Sequence, residues 1–392
     1  MRVLVSGASI AGPVVAYWLD HWGFDVTVVE RAPAPRRTGG HAVDLFAPAL
    51  DVVDRMGLRS AVLDHRTGTD RITLHTPGVP PVDAHLAKVF GMLSEDHVEV
   101  MRDELSEVLL GASSDRIEYR YGDSIAELGD DVVFDSGTRE RFDLVVGADG
   151  LHSNVRRLAF GEVPERFVGA YLAVASIPDD PDLAGRSIGY VDAGRVATGY
   201  RAGEDARAVF LFRGPRLDYH HRDVERQKAL LRKAFAGMPG KVPGWLADLD
   251  GTFYFDGITQ VELDRWTSGR VALVGDAGYC PGPAVGGSTS LAVVGAYSFA
   301  AELARASGDT TRAFPAYEAA IGDYVRASRG MAVKAARRII PATHRGVRTM
   351  RTVLRVLPKL PVSWGKALAS LESDGFRPHD AYVPRPAPEP VR

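Results

Sequence analysis

Residues 2–30 read RVLVSGASIAGPVVAYWLDHWGFDVTVVE, and this stretch decides the fold. Val3-Leu4-Val5 and the run from Phe24 to Val29 are short and apolar, so each predicts a buried strand. The turn from Gly7 to Gly12 is glycine-rich, and Pro13 to Trp22 predicts a helix. We therefore predict a βαβ unit of the kind that binds dinucleotides, with the helix N-terminus facing a pyrophosphate.

An acidic residue completes this pattern. Glu30 closes the second strand 18 residues after Gly12, where its carboxylate can accept hydrogen bonds from ribose hydroxyls. Gly7 makes the tight turn, whereas Ser9 stands at the position of the middle glycine and can still present its N–H. The alternative is a glycine-rich turn of another α/β protein, but both strands, the helix and Glu30 occur in register.

Length and composition narrow the class of protein. The 392 residues suffice for two domains, and 45% hydrophobic and 25% charged residues are typical of an ordinary soluble globular protein. A net charge of −3 gives no reason to expect nucleic acid as a partner. The single cysteine, Cys280, excludes a disulfide framework and a cysteine-cluster metal site. No apolar run approaches a membrane span, so we expect a cytoplasmic protein without metal or membrane attachment.

A second junction of strand, acid, glycine-rich loop and helix lies near the end of the chain. Residues 270–303 read RVALVGDAGYCPGPAVGGSTSLAVVGAYSFAAEL. Val271 to Val274 predicts a strand, Asp276 follows it, and a helix is predicted from Ser288. Glycines in the intervening loop allow a flat polar ring to approach the backbone closely. The alternative is that Asp276 is only a helix cap.

Another junction of this kind lies between the first and the last. Residues 142–156 read FDLVVGADGLHSNVR, in which a strand runs into Gly-Ala-Asp-Gly and Ser153 is a plausible helix N-cap. The basic loop at residues 36–44 is either a solvated surface loop or a place where glycines lie near a cofactor and an arginine neutralises phosphate. Arg102, at a predicted helix start, indicates either a nearby anion or a salt bridge to Asp103 or Glu104.

Together the three junctions resemble those of one family. GASIAG with Glu30, GADGLHSNVR and GDAGYCPGP are similar in order and spacing to the motifs of the FAD-dependent aromatic hydroxylases, the para-hydroxybenzoate hydroxylase group. This group includes the tetracycline-inactivating and polyketide-tailoring monooxygenases. The resemblance covers roughly residues 1–330. It implies an α/β protein with a Rossmann-like FAD-binding domain, an inserted antiparallel-sheet substrate domain and C-terminal helices.

The resemblance also implies a set of site residues. Asp149 and Arg156 match a motif that bridges FAD and NAD(P)H, and Asp276 matches the acid beside the ribityl and pyrophosphate groups. Pro283 matches a proline beside the flavin, and Arg36 is an alternative to Arg37 as the loop arginine. The complete expected cofactor set is Gly7, Ser9, Ala11, Gly12, Glu30, Arg31, Arg37, Gly40, Arg102, Asp149, Arg156, Asp276, Pro283, Gly286, Gly287 and Ser288.

The chain departs from the family pattern in the third motif. Gly278-Tyr279 stands where the family usually has Ala-His. In the following turn, Ser288 replaces the second glycine and Ser290 replaces an asparagine of the usual Gly-x-Gly-x-Asn. Cys280 is a candidate for a covalent flavin link, against the plainer interpretation of a small filler residue.

The sequence divides into four expected parts. Residues 1–75, 98–165 and 265–330 form the FAD-binding domain, 76–97 and 166–264 the substrate domain, 331–380 a C-terminal helical segment and 381–392 a loose tail. Strands 171–177, 187–191, 196–201, 206–213 and 251–263 are expected in one antiparallel sheet. The aromatic residues that alternate along these strands are candidates to line a substrate pocket or to form the packed face of the sheet, and they are Tyr190, Tyr200, Phe210 and Phe212.

The C-terminal segment is basic and amphipathic. No acidic residue occurs from Met331 to Pro361, and the pattern predicts helices with a break at Pro341. Val347, Met350, Leu354 and Leu357 fall on one helical face. The helix therefore either binds a membrane or an acidic partner, or packs on the body of the protein with its arginines in solvent.

The resemblance implies a monooxygenase that uses FAD, NADPH or NADH and O2 to hydroxylate an aromatic or polycyclic small molecule, as a monomer or homodimer. The sequence contains no nucleophile–base constellation, no second G-x-G-x-x-G and no W-x-W-x-I-P motif. A cofactor that carries the reaction explains the missing constellation, since the protein then binds, orients and excludes water. The altered turn at residues 286–290 leaves two alternatives, a redox-neutral cyclase or isomerase with structural FAD and a non-enzymatic flavin-binding protein.

Overall fold

The three junctions lie at the carboxyl ends of strands of one parallel sheet. The computed structural model describes residues 1–35, 40–68, 71–85, 96–202, 205–283, 287–356 and 382–388. Six strands lie in the order β17-β18-β11-β1-β2-β7, and only the β17–β18 pair is antiparallel. They are β1 Arg2–Ser6, β2 Asp25–Glu30, β7 Glu118–Tyr121, β11 Leu144–Gly147, β17 Thr267–Ser268 and β18 Val271–Leu273.

Helices cover this sheet because its strands are apolar on both faces. Val3, Leu4 and Val5 of β1 are fully buried, as expected for a parallel strand between helical layers. The helix after the first strand was predicted from Pro13 to Trp22. It begins two residues earlier, at Ala11, and ends one residue earlier, at His21. The helices that pack in this domain are α1 Ala11–His21, α2 Ala47–Arg55, α3 Arg59–Asp64, α4 Arg102–Gly111, α5 Asn154–Phe160, α8 Asp276–Tyr279 and α9 Ser288–Arg305.

Two small sheets complete the domain built on the parallel sheet, which we call the FAD-type domain. A two-stranded antiparallel ribbon joins β3 to β6, and a three-stranded sheet has the order β10-β9-β8. Their strands are β3 Ala42–Phe46, β6 His97–Met101, β8 Ile125–Leu128, β9 Val132–Phe134 and β10 Arg139–Glu140. The ribbon lies between the parallel sheet and the second large sheet, since Ala42 and Met101 of the ribbon contact Tyr200 of that sheet.

The predicted substrate sheet is present and is larger than expected. Seven strands follow the order β16-β12-β15-β14-β13-β4-β5. They are β4 Arg71–Thr76, β5 Val79–His85, β12 Glu165–Ile177, β13 Ser187–Asp192, β14 Arg195–Ala202, β15 Asp205–Arg213 and β16 Phe253–Val261. All pairs among the five predicted strands are antiparallel, as expected. The additional strand β4 joins β13 in parallel. The chain enters this sheet through β4 before it returns to the FAD-type domain, so β4 and β13 are not hairpin partners.

The two faces of this sheet have different partners. Alternate residues on one face pack with α6 Val224–Ala234 and α7 Val242–Ala247. The other face meets the second half of α10 Thr310–Ile339 and α11 His344–Val356. The break predicted near Pro341 is confirmed, whereas the boundary predicted at residue 330 falls inside α10. One helix therefore begins on the parallel sheet and ends on the substrate sheet.

The basic helix α11 packs on the body of the protein. Val347 is 2% exposed, and Met350 and Leu354 pack against the same cluster of the substrate sheet. Arg345, Arg348 and Arg355 are exposed, whereas Arg351 donates to the carbonyl of Pro80 in β5 at 2.6 Å. Among the described helices, none is long and apolar enough to cross a membrane.

The prediction of a loose tail is wrong for residues 382–388. The ring of Tyr382 stacks on Tyr324 with centroids 4.7 Å apart. The carbonyl of Arg385 accepts hydrogen bonds from Arg55 Nη1 and Tyr297 Oη, both at 2.7 Å. These contacts anchor a proline-rich segment, whose fixed φ angles reduce the entropy lost on docking.

We expect a chain that ends at Asp380 to unfold more easily than the full chain. The side chain of Glu302 is only 5% exposed and lies 3.1 Å from Arg385 Nη1, so the deletion removes one of its cationic partners. It also removes the carbonyl that accepts from Tyr297. The loss should be roughly 1–3 kcal/mol in the free energy of unfolding measured in urea. A chain that ends at Pro388 keeps every contact described for the tail, and equal stability of the two truncations would contradict the docking.

Candidate active site

The carboxyl ends of β1, β11 and β18 lie side by side. Ser6 is in register with Gly147, and Gly147 with Leu273. The loops after these strands must therefore share one small region of space. A Cβ on Gly7, whose φ is 106°, would lie 2.5 Å from the carbonyl oxygen of Ala148, so the first two loops touch through backbone atoms. This is the physical reason for the first glycine.

The first loop places its functional groups as the sequence predicts. A Cβ on Gly12 would lie 1.8 Å from the Gly7 carbonyl oxygen, so this position also requires glycine. Glu30 accepts hydrogen bonds from the backbone N–H of Ala8 at 2.9 Å and of Ala32 at 2.8 Å. The carboxylate is thus fixed beside the loop and next to the start of α1.

Ser9 has a partner that explains its presence in the glycine-rich turn. Its hydroxyl accepts from Arg102 Nη2 at 2.9 Å, and its carbonyl accepts from Ser106 Oγ at the same distance. The serine therefore ties the first loop to the start of α4. Arg102 is held at the junction, where its guanidinium can serve an anion.

The acidic side chain of the second junction accepts its hydrogen bonds from groups within the protein. Asp149 accepts from Ser153 Oγ at 2.5 Å and from the backbone N–H of Asn154 at 2.8 Å. Ser153 is the N-cap of α5, as predicted. Burial raises the pKa of Asp149, although these hydrogen bonds oppose the shift. Arg156 is 5% exposed and donates to the carbonyl of Ala277 at 2.9 Å, so it ties the second junction to the third.

The third junction contains an unsatisfied carboxylate. Oδ1 of Asp276 is buried and has no hydrogen-bond partner among the described residues. Asp276 does not cap α8, since the N-cap is Gly275 and no side chain caps that helix. Burial raises the pKa of Asp276, while the Cys280 thiol, Arg102 and Arg156 lower it. A buried acceptor without a donor indicates a site for a ligand that carries donors.

The departures from the family pattern have local partners. Tyr279 is fully buried, its hydroxyl lies 3.0 Å from that of Tyr317, and a Cβ on Gly295 would lie 2.0 Å from it. Ser290 is also fully buried, accepts from the N–H of Phe46 at 2.9 Å and donates to the Asp44 carbonyl at 3.0 Å. Both residues therefore make contacts within the protein that hold the third motif in place.

Other expected cofactor residues lie around the same three loops. Ala11 begins α1, and a Cβ on Gly275 would lie 3.3 Å from its Cβ. Gly40 packs on Asp103, and its N–H donates to that carboxylate at 3.4 Å. Arg31 is exposed, Pro283 is buried, and Gly287 and Ser288 begin α9. Arg37, its alternative Arg36, and Gly286 lie outside the described residues.

The four aromatic candidates for the substrate pocket do not share a face. Tyr190 lines a surface cavity with His75 and Met238. Phe210 and Phe212 belong, with Tyr190, to the buried core beneath α6 and α7, so for these two phenylalanines the pocket assignment is wrong. They point there because they alternate with residues on the opposite face. Tyr200 faces the other way and contacts Met101 of β6. Only Tyr200 borders the FAD-type domain.

Three residues at the domain boundary were missed by sequence reasoning. Gln260 is 1% exposed, and its amide donates to the carbonyls of Pro281 at 2.8 Å and Arg329 at 2.9 Å. It joins the third loop, β16 and α10. His41 and Tyr254 face each other across the boundary. The only signal for Gln260 was an amide within an apolar strand, and none distinguished Tyr254 from its aromatic neighbours.

No protein-family model matches the chain, but several known proteins do. A flavin-dependent monooxygenase of Legionella longbeachae is 35% identical over 345 residues, covering 85% of this chain and 88% of that protein. Monooxygenase CTB7 of Cercospora beticola is 33% identical over 393 residues, covering 91% and 92%. The crystal structure of tetracycline destructase Tet(51) superimposes with a TM-score of 0.79 at 31% identity, covering 92% of this chain and 99% of that chain.

The fold and the three junctions define a dinucleotide-binding protein with a sheet domain inserted into it. The relatives give its family: the chain belongs to the flavin-dependent monooxygenases of the aromatic-hydroxylase type. The resemblance and the fold class stated from the sequence are thereby confirmed.

Replacing Gln260 by Leu should destabilise the protein by about 2 kcal/mol, because two buried carbonyls lose their donor while the side-chain volume is kept. Urea unfolding followed by circular dichroism measures the change. Thr259→Val is the matched control. Thr259 is the preceding residue, it is also buried, and its side chain makes no hydrogen bond in the described structure. A Gln260 variant as stable as this control would show that the amide does not tie the loop to α10.

Proposed function

We propose that this chain binds FAD across its three junctions and acts as an NAD(P)H-dependent monooxygenase on an aromatic or polycyclic small molecule. The single observation that carries the proposal is the buried, unsatisfied Oδ1 of Asp276 at the shared strand edge. Bound there, FAD would supply the redox chemistry with NAD(P)H and O2. The protein's own task is to bind, to orient and to exclude water.

The described residues fit the pyrophosphate, ribose and ribityl parts of such a cofactor. The N-terminus of the 11-residue helix α1 suits the pyrophosphate, and the Glu30 carboxylate suits the adenosine ribose. Arg102, held by Ser9, supplies positive charge beside these groups. Asp276 suits ribityl hydroxyls, because its free oxygen needs donors and two anions would repel each other. Asp149 and Arg156 support the site by fixing the second and third loops.

We place the substrate where the substrate sheet meets the ribbon of β3 and β6. Tyr200 and Tyr254 face this boundary, whereas the opposite sheet face is closed by α6 and α7. The named activities of relatives, including the tetracycline destructase, favour a polycyclic substrate. An enzyme of secondary metabolism or antibiotic modification fits this class, and a cytoplasmic location is part of the proposal.

The reaction is tested with purified protein, NADPH, air and a panel of polycyclic phenols that includes tetracycline. We expect substrate-dependent NADPH oxidation, matched O2 consumption and a product one oxygen atom heavier by mass spectrometry. Turnover without NADPH would support the redox-neutral alternative instead. Flavin binding without turnover of any panel member under either condition would favour a binding protein.

The flavin released on denaturation should be FAD rather than FMN, because residues 7–30 provide for an adenosine. Replacing Glu30 by Ala should weaken FAD binding by roughly 1–3 kcal/mol, the cost of losing a charged acceptor. Chromatography of the released flavin and titration of apoprotein with FAD measure both effects. An FMN-only protein, or an unchanged FAD dissociation constant, would contradict this placement.

Asp276→Ala should sharply lower FAD occupancy while the thermal midpoint of the apoprotein changes little. The carboxylate makes no helix cap, so its removal costs the apoprotein little stability. Asp276→Asn should do less harm, because it keeps a carbonyl acceptor of the same size. Bound FAD and the thermal midpoint are measured on both variants. A destabilised apoprotein that still binds a full complement of FAD would place the cofactor elsewhere.

A further inference from the structure

Three histidine rings form a stack beside the second junction. His152 follows the Gly-Ala-Asp-Gly turn by two residues, and His220 and His221 lie between β15 and α6. The rings of His152 and His221 are nearly parallel, with centroids 4.7 Å apart and planes inclined by 13°. The centroid of His220 lies 4.4 Å from that of His221. A histidine of the FAD-type domain thus stacks on a loop of the substrate domain.

A buried carboxylate of the substrate sheet lies at the edge of the first ring. Nε2 of His152 is 2.7 Å from Oδ2 of Asp256 in β16. The side chain of Asp256 is only 10% exposed, whereas that of His152 is 45% exposed. Oδ1 of Asp256 accepts from the N–H of Gly257 at 2.8 Å and from Tyr219 Oη at 3.3 Å. Of these three donors, His152 alone belongs to the FAD-type domain.

The charges around His152 favour its protonated form. The hydrogen bond to Asp256 raises the pKa of the His152 ring most, and the charge of Glu165, which itself lies 3.7 Å from Arg216, adds to this rise. Burial and the charge of Arg156 act in the opposite direction without cancelling it. Because the pKa is higher in the folded protein, the stabilising contribution of this contact is complete below the ordinary histidine pKa. It is lost as the pH rises through the raised value.

The histidine stack holds one charge more readily than two. Burial lowers the pKa of His221. Its cationic neighbours lower it further, although Asp256 opposes them, and these neighbours are His152, His220 and Arg222. Two imidazolium rings at this separation would repel each other. The neutral ring of His221 therefore leaves the proton to His152, whose edge meets the carboxylate.

We propose that His152 and Asp256 form a proton-dependent clamp that holds the second junction to the substrate sheet and weakens as the pH rises. With its proton, His152 makes a charge-assisted hydrogen bond to the buried carboxylate. Once the proton leaves, the ring keeps at most a neutral hydrogen bond, and the buried charge of Asp256 is less well compensated. Asp149 and Arg156 flank the clamp in sequence, so its weakening frees the loop that they support. The clamp does not depend on a bound cofactor or on the proposed reaction.

Hydrogen–deuterium exchange of the full chain tests the clamp. The backbone N–H groups of residues 154–156 are bonded to side chains of Asp149 and Ser153, so they report opening of the second junction. Their exchange rates in His152→Gln and Asp256→Asn are divided by the wild-type rates at the same pH, which cancels the intrinsic effect of pH on exchange. We expect a ratio of about tenfold at pH 6 for His152→Gln. The ratio should approach one at pH 9, where the wild-type protein has itself lost the clamp.

Another histidine of the same sheet provides the matched control. The ring of His75 in β4 stacks on Tyr190 with centroids 5.0 Å apart, and it makes no ion pair with a described residue. His75→Gln should therefore leave the exchange of residues 154–156 at the wild-type rate at every pH. This control separates loss of the clamp from loss of any histidine in the substrate sheet.

The outcomes decide the proposal in either direction. A His152→Gln ratio that is constant from pH 6 to pH 9 would overturn it, since the residue would then support the loop without titrating. A ratio that increases with pH would also overturn it, because the neutral ring would be the form that holds the loop. Asp256→Asn keeps the shape of the native side chain, and its ratio should likewise fall as the pH rises. It decides the matter if His152→Gln does not fold.

Discussion

The backbone contact between Gly7 and the Ala148 carbonyl is the constraint on which the rest of the structure depends. It forces the loops after β1 and β11 into van der Waals contact, where any side chain at residue 7 would clash. Arg156 then joins the second loop to the third through the Ala277 carbonyl. Three segments far apart in sequence thus become one rigid surface, and the buried oxygen of Asp276 belongs to that surface. Rigid support of this kind holds a cofactor in a defined geometry.

The union of the two domains depends on a second set of contacts. Gln260 donates to a loop carbonyl and to a carbonyl of α10, so a strand of the substrate sheet is bonded to both. The helix α10 itself runs from the parallel sheet to the substrate sheet. Movement of one sheet relative to the other would therefore break buried hydrogen bonds, which is costly. The boundary that contains His41 and Tyr254 is consequently well defined.

The sequence predicted the parts of the molecule that local patterns encode. Strand, glycine turn and helix follow from residues 2–30 because each has its own period and its own turn chemistry. The family resemblance supplied the order of domains. Phe210 and Tyr200 could not be assigned to their faces, because alternation tells that two faces differ and not which one meets the site. The docking of Tyr382 was equally hidden, since a proline-rich tail has no periodicity that reveals a binding groove.

The two faces of the substrate sheet have different neighbours, so alternate residues of a strand either pack in the core or face the domain boundary. Residues such as Phe210 and Phe255 hold the sheet to its helices, and their immediate neighbours in sequence, Val209 and Tyr254, face the domain boundary. The effect of a mutation in one of these strands therefore depends on the face on which its side chain lies. Under the proposed function, substitutions on the boundary face would change which molecules are accepted while the core stays closed. Such a scaffold can diversify its chemistry over evolutionary time one residue at a time, with little risk to folding at each step.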